Sequence, residues 1–374
     1  MPAREPSRIL LIRPSALGDV CRTVPVLASL RRAYPRAEID WLVQDAFQDA
    51  VWHHPGLAHT IPFPRHTMGR SLLRGRPGPL LRFLADLRRR EYDLVVDAQG
   101  LFRSGFFAWG TRARRRVGHA DAREFGWLGL TDRVRAPAGA HTVDRMLALV
   151  LALGVDPVAD LRLYTGPAER AWVRTIEPIA RALPPSTPAV GERADAPTTP
   201  GLVVLAPTSR WPAKRWPADR FAALARALLD AESVRAIVVV GGASERGQCG
   251  PLLDLASRDP RVVDLVGKTS VGQLMALVQA SSLVVANDSA VIHMAVGFDR
   301  PAVALYGPTR VDRVGPYTGQ RTPPAAARTI VLQHVRPGEA MAHKAPDTSQ
   351  IERISLVEVL GAATACLAPD GCPD

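Results

Sequence analysis

Ile9-Leu10-Leu11-Ile12-Arg13-Pro14-Ser15-Ala16-Leu17-Gly18-Asp19-Val20 is a strand-length apolar run that passes through a short loop of small residues into an amphipathic segment, Val20 to Ala33. The loop ends in a carboxylate. In an α/β sheet this handover, at the carboxyl end of a parallel strand, is where ligands are held. Gly18 is expected to let the backbone turn tightly and approach a ligand. Asp19 lies at or just before the helix start, with its side chain free to face the crevice. Asp is also a preferred N-cap, and capping is the ordinary role of an Asp in this place.

The same alternation runs through the chain. In the first half, strands are expected near 8–13, 38–43, 93–97 and 115–118, and helices near 20–33, 79–90, 101–110 and 141–153. In the second, strands are expected near 202–206, 235–240, 262–265, 283–286 and 302–306, and helices near 217–230, 245–257, 271–280 and 290–297. Such a pattern builds parallel sheets with helices on both faces. Between the halves, Leu183 to Gly201 is rich in Pro and small residues and has no hydrophobic period, which marks a linker. The expected organisation is therefore α/β, with two doubly wound Rossmann-like domains facing a central cleft, the ordinary place for a small-molecule site. The domains are residues 1–185 and 201–350, joined by a linker over 186–200. A C-terminal helix and tail, 351–374, are placed to cross back to the first domain.

Composition narrows the class. The chain has 374 residues, 47% of them hydrophobic, enough for two cores. No apolar run approaches the roughly 18 residues that span a bilayer, and Met1 to Pro6 lacks a signal-peptide core, so a cytoplasmic protein is expected. Cys21, Cys249, Cys366 and Cys372 have no metal-ligand spacing and read as incidental thiols. The net charge is +11, yet Lys214, Lys268 and Lys344 are the only lysines among 47 basic residues. An Arg bias of this size is weak evidence for a nucleic-acid surface. Distribution says more: between Arg65 and Arg90 there are eight Arg and one acid, Asp86. A solvated face is the ordinary reading of such a run. The interleaved Leu72, Leu73, Leu80, Leu81, Phe83, Leu84 and Leu87 also suit an anionic membrane surface or a phosphorylated lipid. The aromatic spacing of an RNA-stacking platform is missing.

Two loops in the second half carry chemistry of their own. Ala206-Pro207-Thr208-Ser209-Arg210-Trp211-Pro212-Ala213-Lys214-Arg215-Trp216-Pro217 collects two hydroxyls, three cations and two indoles after a strand, and hydroxyls with cations there can hold a pyrophosphate. Lys214 places a compact ammonium where the chain otherwise uses Arg. Asn287-Asp288-Ser289-Ala290-Val291-Ile292-His293 follows another strand. Small residues at that helix start expose backbone N–H groups and the positive end of the dipole, an anion site. Ser289 and His293, at i and i+4, share a helix face, although a buried structural histidine beside a cap is the common alternative. Tyr306-Gly307-Pro308-Thr309 ends the next strand at the same sheet edge.

Taken with Asp97-Ala98-Gln99-Gly100-Leu101, Ala122-Arg123-Glu124 and Lys214-Arg215-Trp216-Pro217, these segments resemble the bacterial family 9 glycosyltransferases. Those are the heptosyltransferases that use ADP-heptose to build the inner core of lipopolysaccharide. The motifs stand in family order at family-like spacing over nearly the whole chain. Asp97 to Phe102, Trp41 and His54-Pro55 look most like the branch that adds the first heptose to Kdo-lipid A.

The resemblance implies a GT-B fold, with the acceptor on the N-terminal domain and the nucleotide sugar on the C-terminal one. It implies an inverting transfer with Asp19 as general base and no metal or other cofactor. Thr208, Ser209, Lys214, Glu245, Asp288, Ser289, Ala290 and His293 would bind the donor. Ser15, Gly18, Arg65, Arg70, Gln99, Arg103 and Arg123 would face an anionic, lipid-linked saccharide acceptor at the inner face of the inner membrane. The protein would be peripheral there, a monomer, and without a nucleic-acid partner. Ala290 stands where the family commonly has Gly, and the cysteine-rich segment common after the Gly-Pro-Thr loop is replaced by a polar stretch, His334 to Ser349. Two other readings stay open: a GT-B enzyme acting on another nucleotide sugar or acceptor, including an epimerase, and a non-catalytic nucleotide or nucleic-acid binder. Fold alone does not separate these.

Overall fold

The computed structural model describes residues 5–182, 201–317, 328–342, 344 and 346–368. The chain divides into two compact units, Met1–Leu163 and Tyr164–Asp374. The first contains strands β1 (Arg8–Ile12), β2 (Glu38–Gln44), β3 (His59–Phe63), β4 (Leu94–Asp97), β5 (Arg115–His119) and β6 (Asp132–Val134). The second contains β7 (Leu202–Ala206), β8 (Ala236–Val239), β9 (Val262–Asp264), β10 (Leu283–Asn287), β11 (Ala302–Tyr306) and β12 (Thr329–Gln333).

Both sheets are wholly parallel, in the orders β3-β2-β1-β4-β5-β6 and β12-β11-β10-β7-β8-β9. Counted from its own first strand, each follows the same doubly wound plan. The strand order reverses between β1 and β4 in one unit and between β7 and β10 in the other, so each unit has one switch point. Central strands such as Leu202–Ala206 and Ala302–Tyr306 are buried along their whole length, as parallel strands covered on both faces must be.

The expected strands are present. The sequence pattern missed β3, β6 and β12, each an edge strand of its sheet. Pro62 falls within β3, where an edge strand tolerates the missing N–H. The helices Arg65–Leu73, Pro167–Val173 and Glu177–Ala182 were also missed.

The first domain ends earlier than residue 185. Pro167–Val173 packs on the helix Val271–Ala280, Thr165 bonds to Gln279, and Val173 and Ile179 are buried, so residues 164–182 belong to the second unit. The expected linker, 186–200, lies outside the described residues. The expected crossing of the C-terminal helix to the first domain is also corrected. Leu356–Leu367 buries Val359, Ala363 and Cys366 in the second unit's core beside Trp216 and Phe221. Cys21 and Cys249 are free and buried, whereas Cys366 is disulfide-bonded, so it is not an unpaired thiol. Among the described residues no helix is long and apolar enough to cross a membrane.

Candidate active site

The loops after β1 and β4 meet at the first switch point. The helix after β1 starts at Leu17, which puts Gly18 and Asp19 inside its first turn. Gly18 is not among the glycines with left-handed φ, so the tight turn expected of it is not made there. Asp19 reaches back to accept the Ala16 N–H at 3.3 Å, and the Ser15–Ala16 peptide is cis.

Asp19 was expected to face the crevice freely. Instead, its Oδ2 lies 2.9 Å from Arg13 Nη2 and its Oδ1 pairs with Arg22. Both arginines are 7% exposed, while the carboxylate keeps a quarter of its surface open. Burial pushes the Asp19 pKa up, but Arg13, Arg22 and the Ala16 amide outweigh it and hold the group well below the usual carboxylate range. Asp19 is therefore an ion held by two cations, an arrangement more specific than a helix cap.

Arg13 also donates to the Ala98 carbonyl, and the Ser15 N–H donates to Gln99 Oε1 at 3.1 Å. These bonds lock the loop after β1 to the loop after β4. Asp97, fully buried at the end of β4, accepts the Gln99 and Gly100 N–H groups at 2.9 and 3.2 Å and the Ser104 hydroxyl at 2.8 Å. Gly100 sits at φ +68°, a conformation that favours glycine. Burial raises the Asp97 pKa to about 6 despite these bonds.

This shift gives a pH prediction. Because Asp97 binds its proton more tightly folded than unfolded, stability should fall as pH rises from the ordinary 3.8 to about 6. Asp97→Asn should remove that slope, worth on the order of 3 kcal/mol. Thermal unfolding of both proteins between pH 4 and 7 checks it, and parallel curves would contradict it.

Beside Arg13 a cavity of about 240 Å³ opens within the first unit, lined by Gln99, Gly100, His119, Asp121, Ala122, Arg123, Thr142, Arg145 and Met146. Arg145 pairs with Asp121 at 2.7 Å. His119 Nδ1 is buried without a hydrogen-bond partner. Burial and then Arg145 pull the ring's pKa down to about 4, which keeps it neutral at physiological pH. Of the expected acceptor residues, Gln99 and Arg123 line this cavity and Ser15 braces it. Arg65 and Arg70 lie exposed on the separate helix Arg65–Leu73, and Arg103 sits over the Phe63 ring at 5.5 Å. None of these three lines the cavity. Arg13, Arg22, His119 and Arg145 were missed by sequence reasoning. Arg13, a charge directly after a buried strand, was the one visible signal.

The second switch point gathers the other group. Lys214 Nζ lies 2.6 Å from Asp288 Oδ2, with the two side chains 14% and 10% exposed. Two of the residues expected to bind the donor are thus partners of each other, Lys214 and Asp288. Asn287, fully buried, accepts the Trp216 N–H at 3.1 Å and donates to the Pro207 carbonyl at 2.6 Å, tying both ends of the loop after β7 to β10. Trp216 in turn donates to the Ile354 carbonyl at 2.8 Å, so its indole is a core anchor.

Thr208 donates to Glu245 Oε2 at 2.8 Å, and the Gln248 side chain accepts the Ser209 N–H at 3.1 Å. The same Glu245 oxygen caps the Gly242 N–H at 3.0 Å. Ser289 caps the helix Ala290–Gly297 without a side-chain bond, and its hydroxyl is buried and unpartnered. The first backbone N–H groups of that helix, at Ala290 and onward, have no partner within the helix. His293 is buried on the same helix. Gly307 is required because a Cβ there would stand 2.1 Å from the Ala213 carbonyl oxygen. Among the described residues no group of three His, Cys, Asp or Glu could hold a metal ion.

The family model described as glycosyltransferase family 9 (heptosyltransferase) matches residues 80–329. Lipopolysaccharide heptosyltransferase 1 of Pseudomonas aeruginosa is 32% identical over 325 residues, 83% of this chain and 81% of that protein. Lipopolysaccharide heptosyltransferase 2 of Salmonella typhimurium is 26% identical, covering 94% of each chain. The solved E. coli heptosyltransferase WaaC with ADP-2-deoxy-2-fluoro heptose superposes with a TM-score of 0.69 at 21% identity, covering 94% of this chain and 97% of that one. The fold is GT-B, and on the span of the family match together with the Pseudomonas relative, the chain belongs to glycosyltransferase family 9, the heptosyltransferases.

Proposed function

We propose that this protein transfers a heptose from ADP-heptose to the Kdo-lipid A inner core of lipopolysaccharide, with inversion at the anomeric carbon. The observation that carries the reading is the pair of switch points: one presents an ionised carboxylate beside a cationic cavity, the other an ammonium beside a helix start. Acceptor chemistry suits the first and a nucleoside diphosphate the second.

In this reaction the acceptor oxygen attacks the anomeric carbon as the carbon–oxygen bond to the diphosphate breaks. Asp19 accepts the acceptor's hydroxyl proton. Lys214, Thr208, Ser209 and the N–H groups at Ser289 and Ala290 meet the charge left on ADP. Asp288 orients Lys214, Glu245 faces the ribose hydroxyls through its bond to Thr208, and His293 backs the phosphate helix. Gln99, Arg123 and Arg13 receive an acceptor carboxylate or phosphate. Ser15 and Gly18 shape the loop beneath it, and Arg65, Arg70 and Arg103 meet more distant anionic groups. The lysine and the helix dipole supply the positive charge at the leaving group, so the reaction needs no metal or other cofactor. The acceptor's lipid calls for a peripheral enzyme on the cytoplasmic face of the inner membrane.

Release of ADP from ADP-heptose in the presence of Kdo-lipid A tests the reading directly. ADP-heptose should be consumed at least a hundredfold faster than UDP-sugars, with the new linkage of opposite anomeric configuration by NMR. Equal turnover of a UDP-sugar, or retention of configuration, would refute it.

A further inference from the structure

The helix Phe102–Thr111 turns Ser104, Gly105, Phe107, Ala108 and Thr111 inward. Its other face carries Phe102, Phe106 and Trp109, at i, i+4 and i+7. Their rings form a stacked row, with centroids 6.1 Å apart at 14° between Phe102 and Phe106 and 5.9 Å apart at 25° between Phe106 and Trp109. Phe102 is 54% exposed and Trp109 56%. Side chains of this size normally turn inward, and clustered outside they mark a surface that meets something.

The row continues onto the next element. Gly105 meets Gly126 and Gly129 so closely that a Cβ on any of them would strike backbone, and the short helical segment Gly126–Gly129 is therefore flush with the helix. It brings Phe125, 68% exposed, and Leu128, 60% exposed, alongside. Phe125 sits at φ +60°, an uncommon and costly conformation for a bulky residue. The backbone is held in a disfavoured state where an aromatic ring projects into solvent.

The charge around this row names its partner. Arg82, on the helix Gly78–Arg89 that packs against Phe102–Thr111, and Arg112, Arg114 and Arg123 are all exposed. None forms an ion pair among the described residues. Glu124 is the exposed acid next to Phe125. An apolar ridge bordered by uncompensated guanidiniums complements a surface with apolar depth and anionic headgroups, where rings enter the interface and Arg meets phosphate.

We infer that Phe102, Phe106, Trp109, Phe125 and Leu128 form the face by which the first unit docks on an anionic phospholipid bilayer. This rests on the proposed lipid-linked acceptor only for its purpose. The binding itself is measured on lipid without acceptor, so it can fail or hold independently of the transferase reading.

Sedimentation of the full chain with vesicles of phosphatidylglycerol and phosphatidylethanolamine tests the assignment. Binding should exceed that to phosphatidylcholine vesicles at least tenfold and weaken with salt. F102S/W109S/F125S should lower the partition at least tenfold while its circular dichroism stays wild-type. Brominated lipids should quench tryptophan emission in the wild-type protein and much less in W109F, which keeps an aromatic ring at the site. Turnover of a deacylated, water-soluble acceptor should be unchanged in the triple variant. Absence of binding to anionic vesicles, or equal binding by the triple variant, would overturn the assignment and leave the ridge to a protein partner.

Discussion

Asp19→Asn is expected to lower kcat by roughly 10²–10⁴, because an amide cannot accept the proton of the attacking hydroxyl. ADP affinity should stay near wild type, since the carboxylate belongs to the first unit's switch point and the nucleotide is assigned to the second. Stability should also move. Counting only its bond from the Ala16 N–H, the change would cost at most a few tenths of a kcal/mol, because an Asn side-chain oxygen accepts that bond as well. With Arg13 and Arg22 both held by this carboxylate, its neutralisation leaves two buried guanidiniums without their counterion. About 1–3 kcal/mol is then expected, discounted for the quarter of the side chain that water reaches.

Arg22→Gln separates the two effects. It breaks the same cluster but keeps the carboxylate, so it should lose comparable stability and retain most of kcat. If Asp19→Asn keeps more than about a tenth of wild-type kcat, or if Arg22→Gln loses as much, Asp19 is structural and another base must be sought. The pH behaviour is independent of that comparison. Since the folded pKa lies below the ordinary 3.8, Asp19 is ionised throughout the physiological range. The stability it contributes is present above that ordinary value and is lost only as pH falls below it. An acidic limb of kcat near pH 6 would therefore belong to a different group.

The architecture was legible because its signals are local. Continuous apolar runs such as Leu202–Leu205 and Leu283–Ala286 can only be central parallel strands once amphipathic segments separate them. The loops after β7 and β10 announced themselves by composition. The edge strand β3 was not legible, because His59 and Pro62 dilute its pattern and an edge demands less burial. Residues 164–182 were assigned to the wrong domain because their short helices pack on Val271–Ala280 and on β8, contacts far away in sequence.

At the site, residue types could be read but partnerships could not. The i, i+3 spacing of Asp19 and Arg22 allows them to meet on one helix face, but nothing in the sequence shows that the strand end brings Arg13 to the same carboxylate. Lys214 and Asp288 lie far apart in the chain, joined only because β7 and β10 are neighbours. His119 was passed over because its cavity is made by segments from four separate parts of the first unit, three of them after strands and one the helix Thr142–Leu151.

Lys214→Ala is expected to weaken ADP binding by roughly 10–100-fold, the worth of a shielded charge-assisted contact. It should lower kcat/KM further, by about 10²–10³, because charge on the leaving diphosphate grows in the transition state. The 2.6 Å pair with Asp288 offers a second explanation for any such loss. Removing the ammonium leaves a carboxylate, 10% exposed, beside the site where the diphosphate would sit, and that repulsion alone could expel ADP. Lys214→Ala/Asp288→Asn distinguishes the two, since it removes the repulsion without restoring the cation. If Lys214 meets the diphosphate, calorimetry should show the double variant regaining only part of the lost ADP affinity, and kcat/KM should remain depressed. A double variant that binds ADP as the wild type does would reduce Lys214 to a counterion for Asp288. The helix start at Ser289 and Ala290 would then carry the anion by itself.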